Sequence, residues 1–320
     1  MAVQEWDEYW RGTPEPAALR PSGPQQRTLS EFWEAAVARV PRETGRPRLL
    51  DLGCGNGAVS RLAFDSANRL GSSTEWWICG LDRSLAALNA FRGRIPGVAS
   101  VLGDVRRVPF SSGSFDLVAS QFCLEYAGTV AFEEAARVVA SGGVLSAVVH
   151  YRDGAMHREC AANLESMTRL RDSELLVRAR DAFVAGISPS GARNASKEFE
   201  RADAALIQSL TVTSGILRDL GEQIAGGAVL RLYQDIIYMR QRIHAFALDE
   251  ITEWIEHMGS EISHYAQRMS SMAGAAVDKA GLERIRGIAT AQGLTVREAG
   301  PLRVGISGDA MAWKLICDRR

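Results

Sequence analysis

The sequence has almost no lysine. Lys197, Lys279 and Lys314 stand alone, so arginine supplies nearly all of the 37 Lys plus Arg residues that face 38 Asp plus Glu. At a net charge of −1 and a pI near 6.6, no global field draws the chain toward phosphate polymers or anionic lipid. Nucleic acid is not an expected partner. Cysteine is sparse too: Cys54, Cys79, Cys123, Cys160 and Cys317 are odd in number, scattered and never in a C-x-x-C pair. That pattern writes neither a disulfide framework nor a zinc knuckle, and it suits a reducing cytoplasm. No apolar run reaches the roughly eighteen residues of a membrane span, and MAVQEWDEYW lacks the basic-then-apolar order of an export signal. A soluble cytoplasmic protein without a membrane partner is expected.

What is present is apolar material, 46% of 320 residues, enough for one large domain or two modest ones. Residues 1–27 hold Pro14, Pro16, Pro21 and Pro24 with the aromatics Trp6, Tyr9 and Trp10, and read as an irregular arm. Its aromatics either pin the arm to the body or close over a ligand. From Leu29 the apolar spacing turns helical, with Thr28 and Glu31 placed as a capping box and Pro41 as the stop.

Strand candidates and amphipathic segments then alternate. The strands are Arg48–Leu52, Glu75–Leu81, Ser100–Leu102, Phe115–Ser120 and Gly143–His150; the helices are Ala58–Leu70, Ser84–Arg92 and Thr129–Ala140. Runs such as FDLVAS and GVLSAVVH lack polar alternation, as strands of a parallel sheet covered on both faces do. The expected fold class is a doubly wound α/β domain with a Rossmann-like, mostly parallel sheet. After His150 the alternation stops. No proline occurs between Pro189 and Pro301, and amphipathic patterns fill residues 151–280, including one helix over Ala228–Leu248 and a next one capped by Asp249. A helix near Gly281–Gln292 and strands near Leu294–Ala299 and Met311–Cys317 resume the α/β pattern. The helical segment is therefore an insertion before the last two strands.

LLDLGCGNG, residues 49–57, ends an apolar strand in an acid and three alternating glycines before a helix. Glycine there allows a tight turn and lets a ligand approach the helix N-terminus. Gly53, Gly55 and Ala58 also satisfy the dinucleotide fingerprint, so a nicotinamide cofactor stays open at this point. Asp82 at the end of the second strand could hold ribose hydroxyls in either case. Asp104, followed by Val105 and a VPF turn, suits an adenine amino group beside an apolar wall.

The order LLDLGCGNG, GLDRS, GDVRRVPF, FDLVASQFCLEY and ARVVASGGVLSAVVH resembles the class I S-adenosylmethionine-dependent methyltransferases. The resemblance is strong over residues 48–150 and looser over 281–320. It implies S-adenosylmethionine as cofactor and S-adenosylhomocysteine as product. By the resemblance, Gly53, Gly55 and Gly57 surround the methionine and ribose, and Asp51 lies near the ammonium. Asp82 takes the ribose hydroxyls, Arg83 and Val105 flank the adenine, Asp104 takes its amino group, and Gln121 sits by the methionine. An N-terminal aromatic helix lids the cofactor in such proteins, which brings in Trp10 beside Tyr9. The implied organisation is a lid over 1–27, a cofactor-binding domain over 28–150 plus 281–320, and a helical insertion over 151–280 for substrate or dimer contact.

Methyl transfer to oxygen or nitrogen can need a general base. His150, which ends the fifth strand, is the candidate base, with Glu125 and Tyr126 following the fourth. Tyr233, Tyr238, His244, His257, His264 and Tyr265 of the insertion are further pocket candidates. No compact metal-ligand motif occurs, so no metal is expected. The favoured expectation is a methyltransferase acting on a small organic acceptor, with a homodimer through the insertion as a possible assembly. The alternatives are a non-catalytic S-adenosylmethionine-binding subunit or regulator, and a protein or RNA methyltransferase; an NAD-dependent oxidoreductase ranks last.

Overall fold

The computed structural model describes residues 4–12, 23–40, 45–69, 76–187, 193–305 and 308–320. Two helices come first, α1 (Gln4–Gly12) and α2 (Pro24–Ala38). There follow β1 (Arg48–Leu52), α3 (Ala58–Arg69), β2 (Trp77–Asp82), α4 (Leu85–Arg94), β3 (Ala99–Leu102) and β4 (Phe115–Gln121). Next are α5 (Leu124–Ala127), α6 (Thr129–Arg137) and β5 (Val139–His150). The helices α7 (Ala155–Asp172), α8 (Leu175–Ile187), α9 (Arg193–Leu220), α10 (Ala228–Gln241), α11 (Leu248–Ala275) and α12 (Lys279–Ala291) precede β6 (Leu294–Arg303) and β7 (Ala310–Arg319).

The seven strands form one sheet in the order β3-β2-β1-β4-β5-β7-β6, parallel except that β7 runs antiparallel to β5 and β6. This is the mostly parallel α/β sheet expected, with the long helical region ahead of its last two strands. Because strand side chains alternate, β1 sends Leu50 and Leu52 to one face and Leu49 to the other. Leu50, Leu52, Val118 and Leu145 pack with Ala131, Phe132 and Ala135 of α6 and Leu282 and Ile285 of α12. Leu49, Ile78 and Leu117 pack with Trp33 of α2, Val59 of α3 and Phe91 of α4. Each fully buried leucine-sized side chain contributes about 2 kcal/mol of hydrophobic stabilisation, so both faces hold the carboxyl ends of β1, β2, β4 and β5 in fixed register.

The chain divides into two compact units, Met1–Arg158 with Ser271–Arg320, and Glu159–Ser270. The second is all helical and has its own core of Met167, Phe183, Leu206, Ile216, Ile236 and Ile255. Its Asn163 is buried and accepts a hydrogen bond from the amide of Ala225, which sits at φ 50. No helix among the described residues is long and apolar enough to cross a membrane.

Several expected boundaries move. Residues 4–12 are helical where an irregular arm was expected, and the aromatic spacing Trp6, Tyr9, Trp10 is itself a helical one. The next helix begins at Pro24, after Gly23, and not at Leu29. Proline in the first helical turn sacrifices no needed N–H, and Thr28 spends its hydroxyl on the Pro24 carbonyl instead of capping. Helix α6 stops at Arg137, and Val139 and Ala140 already belong to β5. Helix α10 ends at Gln241, before Leu248, and Asp249 lies inside the first turn of α11, where Glu250 accepts from the Ala247 amide. Pro14, Pro16, Pro21, Pro41, Leu70 and Glu75 lie outside the described residues.

Candidate functional site

The site is built at the carboxyl ends of β1, β2 and β4. The chain leaves β1 through Gly53 (φ 69), Gly55 (φ 52) and Gly57 (φ 86), all in the left-handed region that side chains disfavour. Space demands glycine as strongly as φ does. A Cβ on Gly53 would collide with Cys123 Sγ, and one on Gly55 would lie 2.6 Å from the Trp10 ring. The turn is tied to β2 by the Gly53 amide, which donates to the Leu81 carbonyl at 2.7 Å. It is tied again by the Gly55 amide, which donates to Asp82 Oδ2 at 2.9 Å.

Asp51 is buried and faces the start of α3, where its Oδ2 accepts from the Ser60 amide and, at 2.7 Å, from the Ser60 hydroxyl. Burial pushes its carboxyl up to about 6, against those hydrogen bonds. Asp82 is likewise raised by burial, opposed by the amides of Ser84, Gly55 and Arg83. Both of its oxygens hold backbone N–H groups, since Oδ1 accepts from Ser84 at 2.9 Å. Two acids are thus kept inside at an energetic cost, as functional sites often require.

Asp104 sits at the neighbouring edge, gripped by Arg106 at 2.6 Å, with Arg83 at 3.9 Å on its other side. The Arg106 hydrogen bond holds its carboxyl down at about 2. Val105 beside it is buried. Gln121, the last residue of β4, accepts from the Trp33 indole at 2.6 Å, which fixes α2 against the strand end.

Helix α1 lies on this edge. Trp10 covers Gly55, and Asp7 accepts from the Ser84 hydroxyl at 2.7 Å and the Ala86 amide at 3.1 Å, at the start of α4. Asp7 was not among the residues singled out from the sequence. Its one local partner is Arg11, four residues on at 2.6 Å, whereas Ser84 and Ala86 lie more than seventy residues away, so the sequence does not mark its place at α4. Arg11 first, then Ser84 and Ala86, hold its carboxyl at about 2.

Phe122, at φ 55, stacks its ring 4.4 Å from His150, and Tyr126 stands edge-on both to His150 and to Trp6 of α1. A non-glycine residue in the left-handed region is uncommon and concentrates at functional sites. His150 and Glu125 meet through Nδ1 and Oε1 at 2.7 Å, both side chains buried. Of the sequence candidates, Gly53, Gly55, Gly57, Asp82 and Trp10 therefore lie in contact around one turn, Arg83, Asp104 and Val105 flank it, and His150 and Tyr126 adjoin the β4–α5 segment. The insertion residues are dispersed: His244 and His257 are exposed, Tyr238 lies under Arg242, and Tyr233 and Tyr265 pack on the helical core.

Residues 50–147 match a family model described as a methyltransferase domain. The malonyl-[acyl-carrier protein] O-methyltransferase of Enterobacter lignolyticus is 30% identical over 115 residues, 35% of this chain and 42% of that protein. The chain thus spans less than half the length of that curated relative. Among solved structures, similarity extends to a Haloferax volcanii methyltransferase in complex with the Trm112 activator, at 25% identity, TM-score 0.37, 48% of this chain and 62% of that one. A Mesorhizobium loti S-adenosylmethionine-dependent methyltransferase is similar at 27% identity and TM-score 0.33, over 40% and 56% of the two chains. What the chain shares with these proteins is thus a methyltransferase domain at residues 50–147.

Proposed function

We propose that this chain transfers a methyl group from S-adenosylmethionine to a small organic acceptor. The observation that carries the reading is the three-glycine turn whose middle amide is held by the Asp82 carboxylate at the end of β2. The donor set fits the cofactor chemically: a cationic, hydroxyl-rich nucleoside meets backbone amides at a helix start and the acids Asp51, Asp82 and Asp104. When bound, S-adenosylmethionine supplies an electrophilic methyl group and departs as the neutral thioether. Gly53, Gly55 and Gly57 hold its methionine and ribose portions, with Asp51 and Gln121 toward the amino acid end. Asp82 takes the ribose hydroxyls, and Arg83, Asp104 and Val105 take the adenine. Trp10 on α1 closes the loop against water, His150 accepts a proton, and Tyr126 walls the acceptor. Positioning and water exclusion then do most of the catalytic work.

A small acceptor is favoured over a polymer because the chain's charges nearly cancel and its arginines are interleaved with acids, as in RLRDSELLVRARD. To the helical unit, whose α8 and α9 expose Val177, Val184, Ile207 and Val212, we assign self-association, which sedimentation of the full chain tests. The function is tested by mass spectrometry of small molecules retained by the purified protein, followed by transfer of a labelled methyl group into a metabolite extract. Retained S-adenosylhomocysteine and a labelled small product support the reading. Label confined to protein or RNA, or retained nicotinamide cofactor, refutes it.

A further inference from the structure

His150 and Glu125 form a buried pair with two unanswered atoms. The His150 side chain is 2% exposed and that of Glu125 fully buried. One carboxylate oxygen, Oε1, meets His150 twice: it accepts from the backbone amide at 2.9 Å and contacts Nδ1 at 2.7 Å. The other oxygen, Oε2, and the far ring nitrogen, Nε2, are buried with no hydrogen-bond partner among the described residues. Buried polar atoms are almost always satisfied, and an orphaned pair on neighbouring groups marks a place where another molecule's polar group belongs.

Around the pair, the ring of His150 is fixed by Phe122 on its face and Tyr126 at its edge. The same short segment carries Cys123, whose Sγ packs on Gly53 of the glycine turn. Residues 121–126 therefore touch both the turn and the imidazole. Parallel pairing of β4 with β5, which sets Gln121 opposite Val148, is what brings these elements side by side.

We infer that Glu125 is a positioning residue that keeps the proton of His150 on Nδ1, leaving the Nε2 lone pair to receive a proton from the methyl acceptor. An oxygen that already accepts from the backbone amide is best placed to accept from Nδ1–H as well. Both orphaned atoms are then hydrogen-bond acceptors, so the matching group is a donor: a hydroxyl or an amine. A free carboxylate is disfavoured, because it has no proton to offer to either acceptor. This rests on the proposed methyltransferase reading and narrows its substrate class. As the acceptor's electron pair forms the bond to the methyl carbon, the carbon–sulfur pair stays on sulfur. The acceptor's proton passes to Nε2, and the imidazolium so formed is held by Glu125.

The test begins with nitrogen NMR of the full chain labelled at its five histidines, with His150→Gln assigning the signal, at mildly alkaline pH. The expected result is neutral His150 with the proton on Nδ1 and a bare Nε2; a proton on Nε2 overturns the inference. Glu125→Gln keeps the shape but replaces the carboxylate. It is expected to erase the tautomer preference and to lower kcat by roughly 100-fold, the scale of a lost proton-transfer partner, while KM for S-adenosylmethionine stays within about twofold. Unchanged kcat in a variant with an altered tautomer overturns the inference. With S-adenosylmethionine carrying a carbon-13 methyl, a methyl ether or N-methyl product supports it, and an alkali-labile methyl ester, S-methyl or C-methyl product overturns it. Calorimetric binding of S-adenosylmethionine reports the underlying reading independently. Intact binding with the wrong tautomer removes Glu125's role alone, and lost binding removes the reading itself.

Discussion

Asp7 and Ser84 are joined by a 2.7 Å hydrogen bond that puts an acid of α1 at the first turn of α4, two residues beyond Asp82. A carboxylate at a helix N-terminus answers both the free amides and the helix dipole. The contact converts a short aromatic helix, too short to persist alone in water, into a cover for the glycine turn. Asp7→Asn is expected to raise hydrogen exchange across residues 4–12 several-fold at neutral pH, with α4 and the sheet unchanged. Equal protection would show that the aromatic contacts alone hold α1.

The Asp7 carboxylate, held first by Arg11 and then by Ser84 and Ala86, has a pH signature. The Asp7 carboxyl lies at about 2 against an ordinary 3.8, so its stabilisation is complete above 3.8 and is lost as pH falls toward 2. Tryptophan fluorescence reporting Trp6 and Trp10 should show α1 loosening in that window. The change should be absent in Asp7→Asn.

Asp51 behaves with the opposite sign. Burial raises its carboxyl from 3.8 to about 6, so the folded state binds the proton more tightly than the unfolded one. This group's contribution is fully present below 3.8 and is lost as pH rises through about 6. Asp51→Asn keeps an oxygen for Ser60 and removes the titration. Thermal unfolding should show a wild-type contribution declining between pH 4 and 6 that the variant lacks, and identical pH profiles would refute the assignment.

Ser84→Ala removes both the cap of α4, where the hydroxyl accepts from the Ala87 amide at 3.0 Å, and the partner of Asp7. A loss of about 1 kcal/mol in denaturant unfolding is expected, together with faster exchange in α1. A stability loss without the second effect would separate cap from latch.

The centre of the sheet was legible because β1, β2, β4 and β5 are buried on both faces. FDLVAS and GVLSAVVH carry no polar alternation, and β4 and β5 occupy those segments. Gly53, Gly55 and Gly57 were legible because each combines a positive φ with no room for a Cβ. Helix α1 was hidden by the prolines that follow it, although Trp6, Tyr9 and Trp10 carry helical spacing. The capping box at Thr28 failed for a local reason, since Pro24 already starts the helix one turn earlier. Asp7 with Ser84, and Glu125 with His150, could not be paired from the sequence. Their partnerships depend on where α1 docks and on the adjacency of β4 and β5.

On the proposed reading, the turn after β1 holds S-adenosylmethionine with the help of Asp82. Calorimetric titration of the full chain with S-adenosylmethionine tests it most directly, alongside Asp82→Ala and Gly55→Val, each first shown to be folded by circular dichroism. Saturable one-to-one binding to the wild type is expected, with none detectable in either variant. Binding of equal strength in both variants, or none to the wild type, would contradict it.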